Sequence, residues 1–566
     1  MIAMLFVSEF VLPMRASLAS AKWVQSYDPL GHWWLSALLA GSPLIVLLTM
    51  MLGLKVKAHK ASLVTLAVTL FVATVLFHMP VKLAGLSAVY GAAYGLFPIF
   101  WIVLPVIFMY ELTVHAGRFA LLQQCLTGVT HDARLQLLLI AFGLGAFFEG
   151  AAGFGTPLAV CGTLLIGLGF VPLEAAALAL LANTAPVAFG GLGAPVVALH
   201  GVTGIDTLQL SRAISVLLAP FCLLVPFWLV AAFAGLGAML EVWPALLIAG
   251  TLFGMVQLAV AWLSGPWLVN IAASIVTIVA LLVLFRFWQP RHILNANRQD
   301  ISGSLSALRK PETSVVVSAI TPWAILTVCV AAWGTPAFAR LLDSLSSISF
   351  AIPGLHEVVQ RMPPVVSAPH DESAVFTLNW LSATGTGIFV AAILSAIVMG
   401  LKPVEVLGVL RRTLWKTRFT MITVATLMSF GFLTRYCGLD GVLGLAFART
   451  GVLYPFFGTL IGWLGTASTG SDTSSNVLFG SLQKLTAQQL GIAPVLMAAA
   501  NSGGGVMGKM IAPQSLVVAS TATGIYGSEG RILGKVLLHS IALASLMGLS
   551  VLAILHMPWL LHLIAP

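Results

Sequence analysis

Apolar residues run through this chain in long blocks separated by short polar stretches, almost from end to end. Clear blocks lie within Trp33–Leu54, Ser62–Phe77, Leu135–Phe170, Leu208–Ala234, Trp267–Trp288, Ser314–Trp333, Trp380–Leu401 and Val536–Ile564. A helix needs about 20 apolar residues to cross the hydrocarbon core of a bilayer, and all of these blocks but the shorter Ser62–Phe77 have that length. Counting shorter and interrupted segments, the pattern predicts roughly 12 to 14 transmembrane helices. The fold class expected is an all-α polytopic membrane protein.

Composition agrees with the pattern: 59% of residues are hydrophobic and 8% charged, outside the range of soluble domains. The longest polar interruptions, Gln289–Glu312 and Ser344–Thr377, are too short to build a second core. A net charge of +9 raises a nucleic-acid reading, but the cations are scattered between apolar blocks and form no patch. They sit in short loops: Lys55, Lys57 and Lys60; Arg286, Arg291, Arg298, Arg309 and Lys310; Lys402, Arg411, Arg412, Lys416 and Arg418. Such loops face the cytoplasm. Ser344–Thr377 carries Glu357, Asp371 and Glu372 against Arg361, which places it outside. The five cysteines, Cys125, Cys161, Cys222, Cys329 and Cys437, have no metal-ligand spacing, and no metal or cofactor is predicted. Residues 1–22 hold Glu9 within their apolar part and no leading basic run, so they read as an extension rather than a signal peptide.

With Lys55–Lys60 inside, the first span runs inward, Ser62–Phe77 outward and Leu83–Val114 inward. Arg118–Arg134 reads as an amphipathic connector at the inner face. LGAFFEGAAGFGTP (Leu144–Pro157) then enters from the cytoplasm. In the second half, Ser314–Trp333 runs outward, Trp380–Leu401 inward and Arg418–Leu433 outward. Leu439–Arg449 follows at the outer face, so TASTGSDTSSN (Thr466–Asn476) enters from outside. Leu144, Gly145 and Gly150 match Leu464, Gly465 and Gly470 in spacing. NTAPVAFGGLGAP (Asn183–Pro195) and NSGGGVMGKMIAP (Asn501–Pro513) each run from Asn to Ala-Pro over the same interval. Paired interruptions of this kind point to a transport site between inverted-topology repeats, built of re-entrant hairpins and broken helices. The organisation expected is an extension (1–22), a first repeat with linking spans (23–288), a cytoplasmic loop (289–313) and a second repeat (314–566).

Chemistry concentrates in these breaks. Glu149 has no basic residue near it between Arg134 and Arg212, and an ionisable group at membrane depth is a functional candidate by default. Burial would let it exchange protons near neutral pH; the alternative is a protonated carboxyl that joins two helices. The glycines around it could equally serve close helix packing. Asp472 lies among Ser471, Ser474 and Asn476, able to bind a ligand or to satisfy a broken backbone; the alternative is an outer loop. A helix broken at mid-membrane exposes N–H groups that favour an anion. Lys509 could pair with a substrate carboxylate, or with Asp472 or Glu149. Asn183, Thr184, Asn501 and Gln514 complete the polar lining expected. Gly503 to Lys509 resembles a phosphate loop, but Met510 stands where Ser or Thr is required. His200 and His539 could relay protons or pack, and Tyr90 and Tyr94 could line a path or fill a core.

The segments GAFFEGAAGFG, LGFVPLEAA, NTAPVAFG, RMPPVV, TASTGSDTSSN and GKMIAPQS together resemble the bacterial L-lactate permeases. The resemblance runs from YDPLGHWWLS to the C-terminus. It implies a non-enzymatic, multi-pass protein of the bacterial cytoplasmic membrane. Such a protein imports small 2-hydroxymonocarboxylates (L-lactate, D-lactate, glycolate) by proton symport, with no nucleic-acid partner. The residue roles rest on the physical reading alone: Glu149 and Asp472 as proton-coupling carboxylates, Lys509 as carboxylate partner. The rival readings are an anion channel and an intramembrane enzyme using Glu149 and Asp472.

Overall fold

A computed structural model describes residues 22–54, 56–121, 129–153, 155–302, 312–366, 368–525 and 528–564. The expectations for residues 1–21, Lys55, Cys125, Arg309, Lys310 and the middle of the inner connector lie outside the described residues. Among the described residues, nine helices are long and apolar enough to cross a bilayer, or eleven if each of two bent pairs is one span. Two shorter apolar helices, Thr156–Gly167 and Thr384–Val398, accompany them.

The element order repeats. Trp33–Met51, Ala58–Leu76 and the 35-residue Val81–His115 precede a helical hairpin, Ala133–Ala151 with Thr156–Gly167. A broken helix follows, Pro172–Ala182 with Gly190–Thr203, and then the long helix Thr207–Glu241. In the second half, Thr313–Gly334, Thr384–Val398 and the 35-residue Pro403–Cys437 lead through Leu439–Ala448 to a second hairpin, Tyr454–Thr469 with Asp472–Gln489. A second broken helix, Pro494–Gly508 with Pro513–Ala522, and the long helix Glu529–Leu555 close the chain's repeat. Trp243–Leu263 and Val269–Phe287 stand between the halves without a counterpart.

Burial is inverted relative to a soluble protein. Leu263, Phe287 and Val328 are exposed, whereas Glu149, Asp472, Asn476, Gln483 and Asn501 are buried. Lipid tails solvate the first group, and hydrogen bonds inside the bundle must satisfy the second. The second hairpin meets the second broken helix at backbone distance. A Cβ on Gly504 would lie 2.0 Å from the Thr459 carbonyl oxygen, and one on Gly462 2.1 Å from that of Asn501. Here glycine is required by close approach.

The polar segment Ser344–Thr377 is not a plain loop. Val359–Arg361 pairs in parallel with Trp23–Val24 and antiparallel with His370–Asp371, and Ser347–Ala351 pairs antiparallel with Val375–Asn379. Arg361, counted in the sequence only for the charge balance of this segment, is buried and pairs with Glu372 and with Asp440, the latter at 3.2 Å. Arg435 reaches Glu372 at 2.9 Å, and Ser481 on the second hairpin donates to Asp440 at 2.5 Å. Asp440 and Glu372 hold the Arg361 guanidinium charged more firmly than usual, against the cost of its burial. Arg134, fully buried, pairs with Asp132 at 2.8 Å and Glu241 at 2.9 Å and donates to the His292 carbonyl.

Four further expectations resolve toward packing. Tyr90 donates to the Val375 carbonyl at 2.8 Å and stacks edge-on against Phe432, while Tyr94 packs on Phe432 and Gly201. His539 accepts from the Trp228 indole at 2.9 Å, and His200 bonds the Ile205 carbonyl. Cys161, Cys222, Cys329 and Cys437 are free and buried.

Candidate functional site

Three of the four breaks are made where the backbone turns left-handed, and the fourth, in the second broken helix, is a 3-10 turn at Lys509–Ile511 followed by an extended Ala512. Gly153 (φ 58°) and Gly155 (φ 86°) reverse the first hairpin, and Gly470 (φ 76°) ends the first arm of the second. In the first broken helix Gly191, Leu192 and Gly193 all have positive φ, a conformation that a leucine rarely adopts. Helices restart after each break, and three do so with proline in the first turn: Pro157, Pro195 and Pro513. Proline lacks the N–H that would be unpaired there, which explains the repeated Ala-Pro.

The restarts converge. Gly155, Ala194 with Pro195, Ser471 with Asp472 and Thr473, and Gln514 with Ser515 are the first turns of four different helices, and all line one cavity of about 60 Å³. That volume suits a cluster of a few waters or a molecule of about half a dozen heavy atoms. The positive ends of four helix dipoles bias it toward an anion.

Two carboxylates flank the cavity. Lys509 Nζ donates to Glu149 Oε1 at 2.6 Å, and Asn183 Nδ2 donates to Oε2 at 3.1 Å. Glu149, unaccompanied in its own sequence neighbourhood, is therefore neutralised from the other half. Gly190 leaves it room, since a Cβ there would lie 2.4 Å from Oε1. Asp472 is held by neutral donors: Ser502 Oγ at 2.6 Å, Thr466 Oγ1 at 3.4 Å and Asn476 Nδ2 at 3.5 Å. Among the described residues no cation lies within ion-pair distance of Asp472.

Of the residues expected at the site, Glu149, Asp472, Lys509, Ser471 and Gln514 line the cavity. Asn183 and Thr184 border a closed seam beside Lys509; Asn183 steadies Glu149, and Thr184 donates to the Leu181 carbonyl. Ser474, Asn476 and Asn501 sit behind Asp472 instead of lining the cavity. Asn501 donates to Asn476 Oδ1 at 2.9 Å, Gln483 to Asn501, and Tyr454 to Gln483, so the hydrogen bonds continue along the hairpin. Sequence reasoning missed Ser502, the closest donor to Asp472. Nothing in NSGGG distinguishes it from Asn501; only the packing of that helix on the hairpin turn does. The apolar wall of Val187 and Val518 was missed as well.

A model of the L-lactate permease family matches residues 36–558. The chain belongs to the L-lactate permease family. The glycolate permease GlcA of Escherichia coli K12 is 41% identical over 542 residues, covering 93% of this chain and 97% of its own. The L-lactate permease of the same strain is 39% identical over 536 residues, with the same coverage. That of Bacillus subtilis is 37% identical over 544 residues, covering 92% and 96%. The solved YdaH transporter of Alcanivorax borkumensis is similar at TM-score 0.32 and 15% identity over 77% of this chain and 88% of its own, too remote a likeness to bear on the fold. As an L-lactate permease family member, the chain is a multi-pass transport protein of the bacterial inner membrane, and not an enzyme.

Proposed function

We propose that this protein imports small 2-hydroxymonocarboxylates, lactate and glycolate, each together with a proton. The observation that carries the reading is the cavity itself: four helix starts, one lysine and two buried carboxylates around a space of about 60 Å³. A substrate carboxylate settles against the helix N–H groups and competes with Glu149 for Lys509. Ser471, Thr473, Gln514 and Ser515 offer donors and acceptors to the 2-hydroxyl, and Val187 and Val518 face the methyl of lactate. The relatives named for L-lactate and for glycolate support this substrate class.

Asp472 carries the proton in this scheme. An ionised carboxylate without a cation is costly at membrane depth, and a second anion in the cavity raises that cost. A proton on Asp472 removes the repulsion, so proton and substrate favour each other's binding reciprocally. They then cross without moving net charge. Glu149, already paired with Lys509, balances the lysine whenever substrate is absent.

The test is uptake of labelled lactate and glycolate by purified protein in liposomes, with and without an imposed pH gradient. Accumulation that requires the gradient supports the reading. Gradient-independent uptake overturns symport, and failure to take up either acid overturns the substrate class.

A further inference from the structure

Asn476 stands one helical turn beyond Asp472 and is fully buried. Its Nδ2 lies 3.2 Å from Ser502 Oγ and 3.5 Å from Asp472 Oδ2, and also 3.1 Å from the carbonyl oxygen of Pro195. Its Oδ1 is occupied by Asn501. Two N–H bonds therefore serve three acceptors, two in the Asp472 cluster and one in the opposite half. Pro195 belongs to the first turn of the helix that restarts after Gly193, and it lines the cavity.

Asp472 has little freedom to swing away. A Cβ on Gly505 would lie 2.0 Å from its Oδ1, so that helix backbone abuts the carboxylate. Gaining a proton consequently changes its hydrogen bonds more than its place. Ionised, it accepts from Ser502 and draws on Asn476. When a hydronium ion in the cavity gives its proton to Asp472 and leaves as water, the new O–H donates toward Ser502 Oγ, the Ser502 hydroxyl turns its own proton away from the carboxyl, and the Asn476 amide is released to the Pro195 carbonyl.

We propose that Asn476 is the positioning residue by which the proton on Asp472 sets the cavity wall of the other half, an inference that rests on Asp472 as the proton carrier. The charged groups facing Asp472 are Glu149 and Lys509 across the cavity. The helices Tyr454–Thr469, Pro494–Gly508 and Pro513–Ala522 bring no charged side chain. His200 and Lys484, at the far ends of the two joined helices, are engaged by the Ile205 and Thr203 carbonyls. Asn476 is thus the link between two sites, touching neither substrate nor bulk water.

The experiment compares wild-type protein with Asn476→Leu and Asn476→Thr in liposomes. Leucine keeps the volume without any donor. Threonine keeps a hydroxyl beside Ser502 but is too short to reach Pro195. Three quantities are read: pH-gradient-driven accumulation, lactate counterflow at equal pH, and the pH profile of counterflow. Both variants are expected to keep counterflow within about two-fold, to lose about ten-fold or more in accumulation, and to flatten the pH profile. A proportional fall in accumulation and counterflow, or wild-type behaviour in both, overturns the proposal. So does the absence of folded protein in both variants, which marks a purely structural role. If wild-type protein ignores the gradient, the symport reading fails instead, whatever the variants do.

Discussion

Glu149 and Asp472 flank the same cavity from the two halves, yet their charges are managed in different ways. Glu149 is bonded to an ammonium supplied by the other half, whereas Asp472 is bonded to hydroxyls and an amide. An ion pair at depth stays charged and fixes geometry, and removing one partner strands the other. A carboxylate served by neutral donors has no such partner, which is why the proposed scheme gives the proton to Asp472. The frame repeats and the electrostatics do not, and the proposed scheme rests on that asymmetry in giving the two acids separate roles.

The sharpest break of the comparison is Asp472→Asn. It is expected to lower gradient-driven accumulation about 10²-fold or more while counterflow persists. Loss of both together would place Asp472 in substrate binding. Lys509→Met is expected to cost about 3–5 kcal/mol by stranding Glu149, read as a fall in melting temperature in detergent. The double variant with Glu149→Gln should recover most of that stability without recovering uptake, whereas pairing Asp472→Asn with Lys509→Met should not. Smaller again, Gly190→Ala crowds Glu149 and should cost about 1–3 kcal/mol; its effect should be absent in a Glu149→Ala background, which checks that the clash is with that side chain.

The smallest effect comes from a third carboxylate outside the membrane, paired as Glu149 is. Burial pushes the Glu372 carboxyl upward, but Arg361 and Arg435 outweigh this and hold it below the usual range. Its contribution to stability is therefore complete above the unfolded value, about 4.3, and is lost as pH falls through the lower folded value. A melting series from neutral to acidic pH should show a steeper acid decline in wild-type protein than in Glu372→Gln.

Much of this was legible in the chain because glycine, proline and isolated polar residues are conspicuous among leucines. The two hairpins, both broken helices and the repeated Ala-Pro follow from spacing alone, and Glu149, Asp472, Lys509, Ser471 and Gln514 all reach the cavity. What was hidden depends on contacts between distant segments. Lys509 had three partners open to it in the sequence, and only the packing of the two halves selects Glu149. Asn476 and Asn501 carry the right chemistry, but the helix face that bears them turns behind Asp472. The pairing of Trp23–Val24 with Val359–Arg361 joins strands too short for alternation to register, so a small folded cap read as loop.

The glycine seam between the second hairpin and the second broken helix has a mechanical consequence. Backbone rests on backbone at Gly462 and Gly504, with no layer of side chains between the two elements. A joint without rotamers has nothing to reshuffle, so it holds Asp472, Ser502 and Lys509 in one fixed relation to each other. Compliance has to come from a contact of another kind, and the single amide reaching the Pro195 carbonyl across the halves is such a contact: soft enough to give, and short enough to close again in one definite place.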